Sequence, residues 1–273
     1  MENKAQKIKE AAAFIQTRLH GTPKIGMILG SGLGVLAEQV EDAVRIPYDD
    51  IPHFPVSTVA GHEGQLVCGT LNGQRVIVMQ GRFHYYEGYD LGTVTFPVYV
   101  MKQLGVETLI VTNACGGLNR SFVPGDLMII TDHINLTGDN PLIGPNLDEF
   151  GPRFPDMSAS YTPQLVKLAQ QKADELGIVV RQGVYCGISG PSYMTPAELI
   201  MLARIGGDAI GMSTVSEVIV AAHAGLKVLG ISCITDMAIG EELEPLTHEQ
   251  VVKVANETRP RFIALVKSIV AEV

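Results

Sequence analysis

Short, almost wholly apolar runs alternate along this chain with stretches whose apolar residues recur at helical spacing. KIGMILG (Lys24 to Gly30), RVIVMQ (Arg75 to Gln80), TLIVTNA (Thr108 to Ala114), DLMIITDHI, IVVRQGVYCGI, AIGM and KVLGISCITDM read as buried strands. Asn72-Gly73 lies between two β-rich runs in GQLVCGTLNGQRVIVMQG and predicts a tight hairpin that delivers the chain to Arg82 and His84. Helices are predicted up to Gly21, over Leu91 to Leu104 with a stop at Gly105, and from Pro163. Others are predicted from Thr195-Pro196-Ala197-Glu198, a capping box with proline at its first position, from Ser213 or Thr214, and from Thr247 with Gln250 three residues on. Pro260 should kink that last helix or split it.

Repeated strand, loop and helix units with no compositional linker imply a single α/β domain over residues 1–273, built on a mostly parallel or mixed sheet. The period vanishes from Asn135 to Tyr161, a proline-rich segment too long for a simple connection. Loops of that length are usually functional or interfacial.

Composition narrows the function classes. At 273 residues and 46% hydrophobic content the chain can bury a large core. A net charge of −9 and a pI near 5.2 argue against a nucleic-acid groove, which needs clustered Lys and Arg, while a small anion can still be held locally. No run of about 18 apolar residues suits a membrane span, and MENKAQKIKEAAAFIQTRL spreads its charges at helical spacing; a cytoplasmic protein is expected. Cys68, Cys115, Cys186 and Cys233 lie far apart without CxxC spacing and are expected as free thiols, three of them in or beside strands.

The loops at the predicted strand ends carry the chemistry. GSGLG (Gly30 to Gly34) offers flexible backbone and the Ser31 hydroxyl where a helix is expected to start, which suits a phosphate; it has neither P-loop nor GxGxxG spacing, and a plain tight turn is the alternative. In GRFHYYEGYD, Arg82 and His84 stand two apart, so in extended backbone both point the same way and can hold an oxyanion; a surface ion pair and a loop histidine are the alternatives. Asn113-Ala114-Cys115-Gly116-Gly117 opens at another strand end, and such ends are where open α/β sheets bind ligands. His20, His53 and His223 read as structural or solvent histidines, His133 stays undecided, and His62 in AGHEG has the better claim to a site.

GSGLG, AGHEG, GRFHYYEGY, TNACGGLN, GPRFPDMS, GPSY and GMSTVSEVIVA occur in the order seen in the trimeric purine nucleoside phosphorylases, and the chain resembles that family from Ile25 to His248. The resemblance implies a central mixed sheet partly closed into a barrel and flanked by helices, a homotrimer, and the reaction of a purine nucleoside with phosphate to give free purine and ribose 1-phosphate. It implies no metal or organic cofactor; phosphate is a co-substrate. Carried over by position, Ser31, His62, Arg82, His84, the backbone N–H of Ala114 and Ser213 are the phosphate site. Tyr86, Met212 and His248 are ribose contacts, with His248 at the 5′-hydroxyl. Tyr193 neighbours the purine, and Phe154 reaches into the adjacent subunit's site. Glu87 orients its loop as an acceptor, a solvated carboxylate being the alternative.

Two positions depart from the family. An asparagine there bonds the base at N7 and the 6-position, and a glutamate holds N1 and the 2-amino group; here these positions are Asp236, in ITDMA, and Met194, in GPSYMTP. An ionised Asp236 accepts from a 6-amino group and repels a 6-oxo group, so adenosine use is expected, with a protonated Asp236 as proton donor to N7; a water or a rotated side chain restoring ordinary 6-oxopurine use is the alternative. A methylthioadenosine phosphorylase, against which His248 speaks, and a nucleoside-binding protein without turnover are the other functions left open.

Overall fold

The computed structural model describes residues 4–59, 62–243 and 245–273. In chain order the elements are α1 (Lys4–Gln16), β1 (Ile25–Leu29), β2 (Glu41–Pro47), β3 (Gln65–Leu71), β4 (Gln74–Gln80), α2 (Leu91–Val94), α3 (Phe96–Gln103), β5 (Thr108–Gly117) and β6 (Leu127–Leu136). They continue with α4 (Pro163–Leu176), β7 (Val180–Ile188), α5 (Pro196–Arg204), β8 (Ala209–Gly211), α6 (Val215–His223), β9 (Lys227–Met237) and α7 (His248–Val270).

The strands form one mixed sheet in the order β2-β3-β4-β1-β5-β8-β7-β6-β9, and β9 pairs back onto β5. β5, β8, β7, β6 and β9 therefore close into a barrel, and β1, β4, β3 and β2 extend the sheet from its wall. β4, β1, β5 and β9 run parallel, which brings their carboxyl ends to one edge. The hairpin between β3 and β4 turns at Asn72 and Gly73, both at positive φ (46° and 82°), as a two-residue primed turn requires.

The strands read as unbroken apolar runs because both faces are covered. Leu109 and Val111 of β5 join the cluster packed by α1, α3 and α6, whereas Ile110 joins the one packed by α4 and α7. Ile77 and Met79 of β4 divide from Val76 and Val78 in the same way, so the period of two survives in the packing though both faces are apolar.

Several element boundaries differ from expectation. α1 ends at Gln16, well before Gly21, where the Thr17 hydroxyl and the Arg18 guanidinium both donate to the Phe14 carbonyl, at 2.7 and 3.0 Å. Leu91 to Leu104 is two helices with Thr95 between them, since Pro97 has no N–H to donate backward and suits the first turn of a new helix. GSGLG leads into a 3₁₀ turn over Gly34–Gln39, not an α-helix. Pro260 does not split α7: Ala255 and Thr258 before it and Phe262 after it are all buried, and packing carries the helix across. All four cysteines are free, buried and within strands.

No described helix is long and apolar enough to cross a membrane.

Candidate active site

A cavity of about 780 Å³ opens where β1, β4, β5, β7, β8 and β9 end. Ser31, Arg82, His84, Tyr86 and Ala114 line it from the β1, β4 and β5 ends. Tyr193, Met194, Met212, Ser213, Asp236 and His248, from later in the chain, line it as well. Gly32 makes the first loop possible: its φ is +75°, and a Cβ there would lie 2.6 Å from the Ala255 Cβ of α7.

Arg82 does form an ion pair, but a buried one and not at the surface. Its side chain is buried and held by Glu217 of α6, with Nε donating to one carboxylate oxygen at 3.1 Å and a terminal nitrogen to the other at 2.7 Å. A third bond goes to the Thr112 carbonyl. The remaining N–H groups are all Arg82 has to offer a ligand, in a fixed direction.

His84 is locked by Glu87, which is no solvated carboxylate. Glu87 Oε1 accepts from the His84 backbone N–H at 2.7 Å and bonds its Nδ1 at 2.9 Å; Oε2 accepts from the Thr58 N–H and hydroxyl at 2.9 and 2.6 Å. Burial would raise the Glu87 carboxyl, but these bonds outweigh it and bring it down to about 2. Nδ1 of His84 is therefore a donor, and Nε2 is the atom left for the cavity. Burial, with Arg82 nearby, holds the His84 imidazole below its ordinary range despite Glu87.

His62 is not at the cavity wall but one layer behind it. Its Nδ1 lies 3.2 Å from both the N–H and the carbonyl oxygen of Arg82, and its Nε2 lies 3.4 Å from Ser31 Oγ. Burial first, then His84 and Arg82, lower its pKa to about 4, so it stays neutral at pH 7. Its ring stacks on His84 and His84 stacks on Tyr86, with centroids 5.3 and 4.6 Å apart. Ala60 and Gly61 of the AGHEG motif lie outside the described residues.

Ser213 precedes a strained turn. Thr214 has φ 74° and ψ −53°, and the Val215 N–H donates to the Ser213 carbonyl at 2.8 Å, a γ-turn of the rare hand. Thr214 is fully buried, and Asn113 Nδ2 donates to its hydroxyl at 2.9 Å.

At the far end the wall is apolar, and Met194 packs there against a cluster including Ile188, Leu199 and Ile210. The carboxylate in this wall owes its position to a bulge: Cys115 pairs with Ile234 but Gly116 pairs with Asp236, so Thr235 is an extra residue and Asp236 is turned toward the cavity. Asp236 Oδ1 accepts from the Thr235 hydroxyl at 2.9 Å, while burial pushes the carboxyl above its ordinary range. Tyr193 is half exposed at the rim. Phe154 is 88% exposed on the loop after β6 and does not line this chain's cavity.

The other histidines are placed elsewhere. His53 bonds Glu10 at 2.7 Å, His223 bonds Tyr99 and Asn146, and His133 bonds the Tyr161 hydroxyl at 3.1 Å. Sequence reasoning missed Glu217 and Thr214. A lone carboxylate in the apolar run VSEVIVAA was the available signal, since a buried charge needs a partner.

Comparison with known proteins bears on the whole chain. The Phosphorylase superfamily profile matches residues 24–271. Purine nucleoside phosphorylase 1 of Geobacillus stearothermophilus is 60% identical over 263 residues, covering 96% of each chain. Isoform 2 of the Schistosoma mansoni purine nucleoside phosphorylase, solved with cytosine and ribose-1-phosphate, superposes with a TM-score of 0.94 at 44% identity over 98% of this chain and 96% of its own. A purine nucleoside phosphorylase of the same organism solved with inosine superposes with a TM-score of 0.93, at 44% identity over 98% of this chain and 96% of its own. The chain belongs to the phosphorylase superfamily and, within it, to the purine nucleoside phosphorylases.

Proposed function

We propose that the cavity holds inorganic phosphate at the Ser31, Arg82, His84, Ala114 and Ser213 end and a purine nucleoside along the rest, and that the chain catalyses phosphorolysis to free purine and ribose 1-phosphate. One observation carries the assignment of the ends: the Arg82 guanidinium and the Ser31 and Ser213 hydroxyls, from separate strand ends, line one cavity with an apolar wall around Met194, beside which Asp236 presents its carboxylate.

Breaking the N-glycosidic bond develops positive charge on the ribose, so a phosphate fixed beside the anomeric carbon stabilises that charge and supplies the nucleophile. Arg82 donates to the anion, and His84, with its Nδ1 proton held by Glu87, accepts from a protonated phosphate oxygen at Nε2 or donates there once the anion's charge draws a proton onto the ring; Glu217 and Glu87 fix their directions. Tyr86, Met212 and His248 contact the ribose. Tyr193, Met194 and Asp236 surround the base, and Asp236 donates a proton to N7 when it is protonated. Phosphate is a co-substrate, and the reading needs no cofactor. Phe154, exposed on its long loop, completes the site of a neighbouring copy in a homotrimer.

A second reading concerns the base. Asp236 and the apolar Met194 favour a 6-aminopurine such as adenine over guanine, since nothing at Met194 accepts from N1–H or a 2-amino group.

Incubation with inosine or adenosine, with and without phosphate, tests the activity through release of free base and ribose 1-phosphate. Release that does not depend on phosphate would overturn it.

A further inference from the structure

The Ser213 hydroxyl can donate to an anion only if its single proton is not drawn elsewhere. Its neighbours in the structure are the Thr214 hydroxyl, 3.3 Å away, where either oxygen could donate to the other, and the buried Tyr185 hydroxyl, which also interacts with the Ser213 side chain and has its own proton to give. What decides the direction lies one step further back. Asn113 Nδ2 carries only protons and donates to Thr214 Oγ1 at 2.9 Å, in a fully buried contact. That bond occupies a lone pair of Thr214 Oγ1 and leaves the Thr214 proton to go to Ser213 Oγ. Ser213 then accepts from behind, and its own proton is free for the cavity.

We propose that Asn113 and Thr214 are positioning residues that set the polarity of this chain, Asn113 to Thr214 to Ser213 to anion, and so keep the Ser213 proton aimed at bound phosphate. The inference rests on the phosphate site proposed above. Thr214 does not line the cavity, so whatever it contributes to an anion passes through Ser213. The γ-turn at Thr214 brings its side chain back beside that of Ser213, which gives the strained backbone a role in the site. Each bond in such a chain polarises the next, and the charge of the anion at its end strengthens all of them.

The polarity is a real alternative to its reverse. Asn113 Oδ1 has no hydrogen-bond partner, so the bond to Thr214 is the one that orients the amide. An amide turned over would present its oxygen to Thr214, draw the Thr214 proton away, and with it the Ser213 proton.

Thr214→Val removes the hydroxyl and keeps the β-branched shape at the strained position; Thr214→Ser keeps the hydroxyl. The measurement is the KM for phosphate and for nucleoside in each, and in the same substitutions combined with Ser213→Ala. Thr214→Val is expected to raise the phosphate KM about two- to tenfold, the worth of one ordinary hydrogen bond, with a smaller change in the nucleoside KM. Thr214→Ser should stay near the parent, and Thr214→Val should add nothing once Ser213 is alanine. Thr214→Ala carries the same comparison if the valine variant does not fold. A phosphate KM that falls in Thr214→Val overturns the polarity, and one that is unchanged, or that rises equally in the Ser213→Ala background, overturns the relay. If Ser213→Ala alone leaves the phosphate KM unmoved, the phosphate-site reading itself fails and the inference with it.

Discussion

Glu217 grips the Arg82 guanidinium with both carboxylate oxygens, at 3.1 and 2.7 Å, across 135 residues of sequence and with both side chains buried. The pair aims the rest of the guanidinium at the cavity, but it also means that truncating either partner strands a buried charge. Arg82→Ala is therefore expected to destabilise the protein by about 3–5 kcal/mol, quite apart from phosphate binding. Glu217→Gln separates the two effects. It should lower Tm while leaving the phosphate KM unchanged or lower, because Arg82 keeps its place and loses its counter-charge. Melting curves with and without phosphate check this, and an unaltered Tm would show that the pair contributes nothing to stability.

Two buried groups should erode stability in separate acid windows. His62 titrates at about 4 in the folded chain, below its ordinary 6.5, so the unfolded state takes up the proton first and stability falls as pH drops from about 6.5 to about 4. Glu87 titrates at about 2 against an ordinary 4.5, so its contribution is complete above 4.5 and is lost between there and about 2. Urea unfolding of His62→Asn across pH should reduce the slope of the upper window, to which His84 also contributes, and leave the lower one, whereas Glu87→Gln should flatten the lower window and, by removing the partner that raises His84, steepen the upper. A lower window left unchanged by Glu87→Gln, or flattened by His62→Asn, would contradict the assignment.

The strands other than β2, the Asn72-Gly73 hairpin and the capping boxes at Thr195 and Thr247 were legible because each is written in adjacent residues; β2 (Glu41–Pro47), mostly exposed and charged, has no apolar run to announce it. The loops at the strand ends were legible for the same reason, and the family likeness joined them into one site. What was not legible depends on contacts distant in sequence. Nothing near Arg82 announces Glu217, and nothing in ITDMA announces the bulge at Thr235, which exists only in the register between β9 and β5. Thr214 at φ 74° escaped because a β-branched residue is a poor candidate for that region, and only its buried bond to Asn113 accounts for its place. The local rule for a helix end failed near Thr17, where side chains competing for a carbonyl end α1 early, while packing carries α7 through Pro260 without splitting it.

Phe154 provides a test of assembly. A phenyl ring 88% exposed and with only the Arg153 guanidinium near its face, 5.8 Å from the ring centroid, has no packing role within its own chain among the described contacts. If it completes a neighbour's cavity, Phe154→Ala should leave Tm of the dissociated chain unchanged but lower kcat/KM, and specific activity should fall on dilution through the dissociation range. Full activity in the alanine variant, or in a chain shown to be monomeric by sedimentation, would remove Phe154 from the site.

The base preference turns on how Asp236 is held. Its Oδ1 is occupied by the Thr235 hydroxyl, and Oδ2 lies on the Gly116 side, 3.2 Å from where a Cβ on that glycine would sit. Ionised, the free oxygen can only accept, which matches a 6-amino group and opposes a 6-oxo group. Burial raises the carboxyl, so the protonated form persists to higher pH than for an ordinary aspartate, and in that form Asp236 can donate to N7 as the base departs. Met194 adds no polar atom that could accept from N1–H or a 2-amino group, and each such donor left unpaired costs about 1–3 kcal/mol. On the proposed reading both residues disfavour guanosine, and Asp236 favours adenosine. Asp236→Asn should lower the kcat/KM ratio of adenosine to inosine by about tenfold or more, the value of one polar mismatch in a desolvated pocket. Adding Met194→Glu should then raise guanosine use above that of the single variant. The adenosine preference of the parent should weaken toward low pH as Asp236 protonates, whereas in Asp236→Asn the ratio should be flat with pH. A parent that already prefers inosine strongly, or a ratio unmoved by Asp236→Asn, would mean that a bridging water or a turned carboxyl supplies the donor instead, and that Asp236 does not set the choice of base.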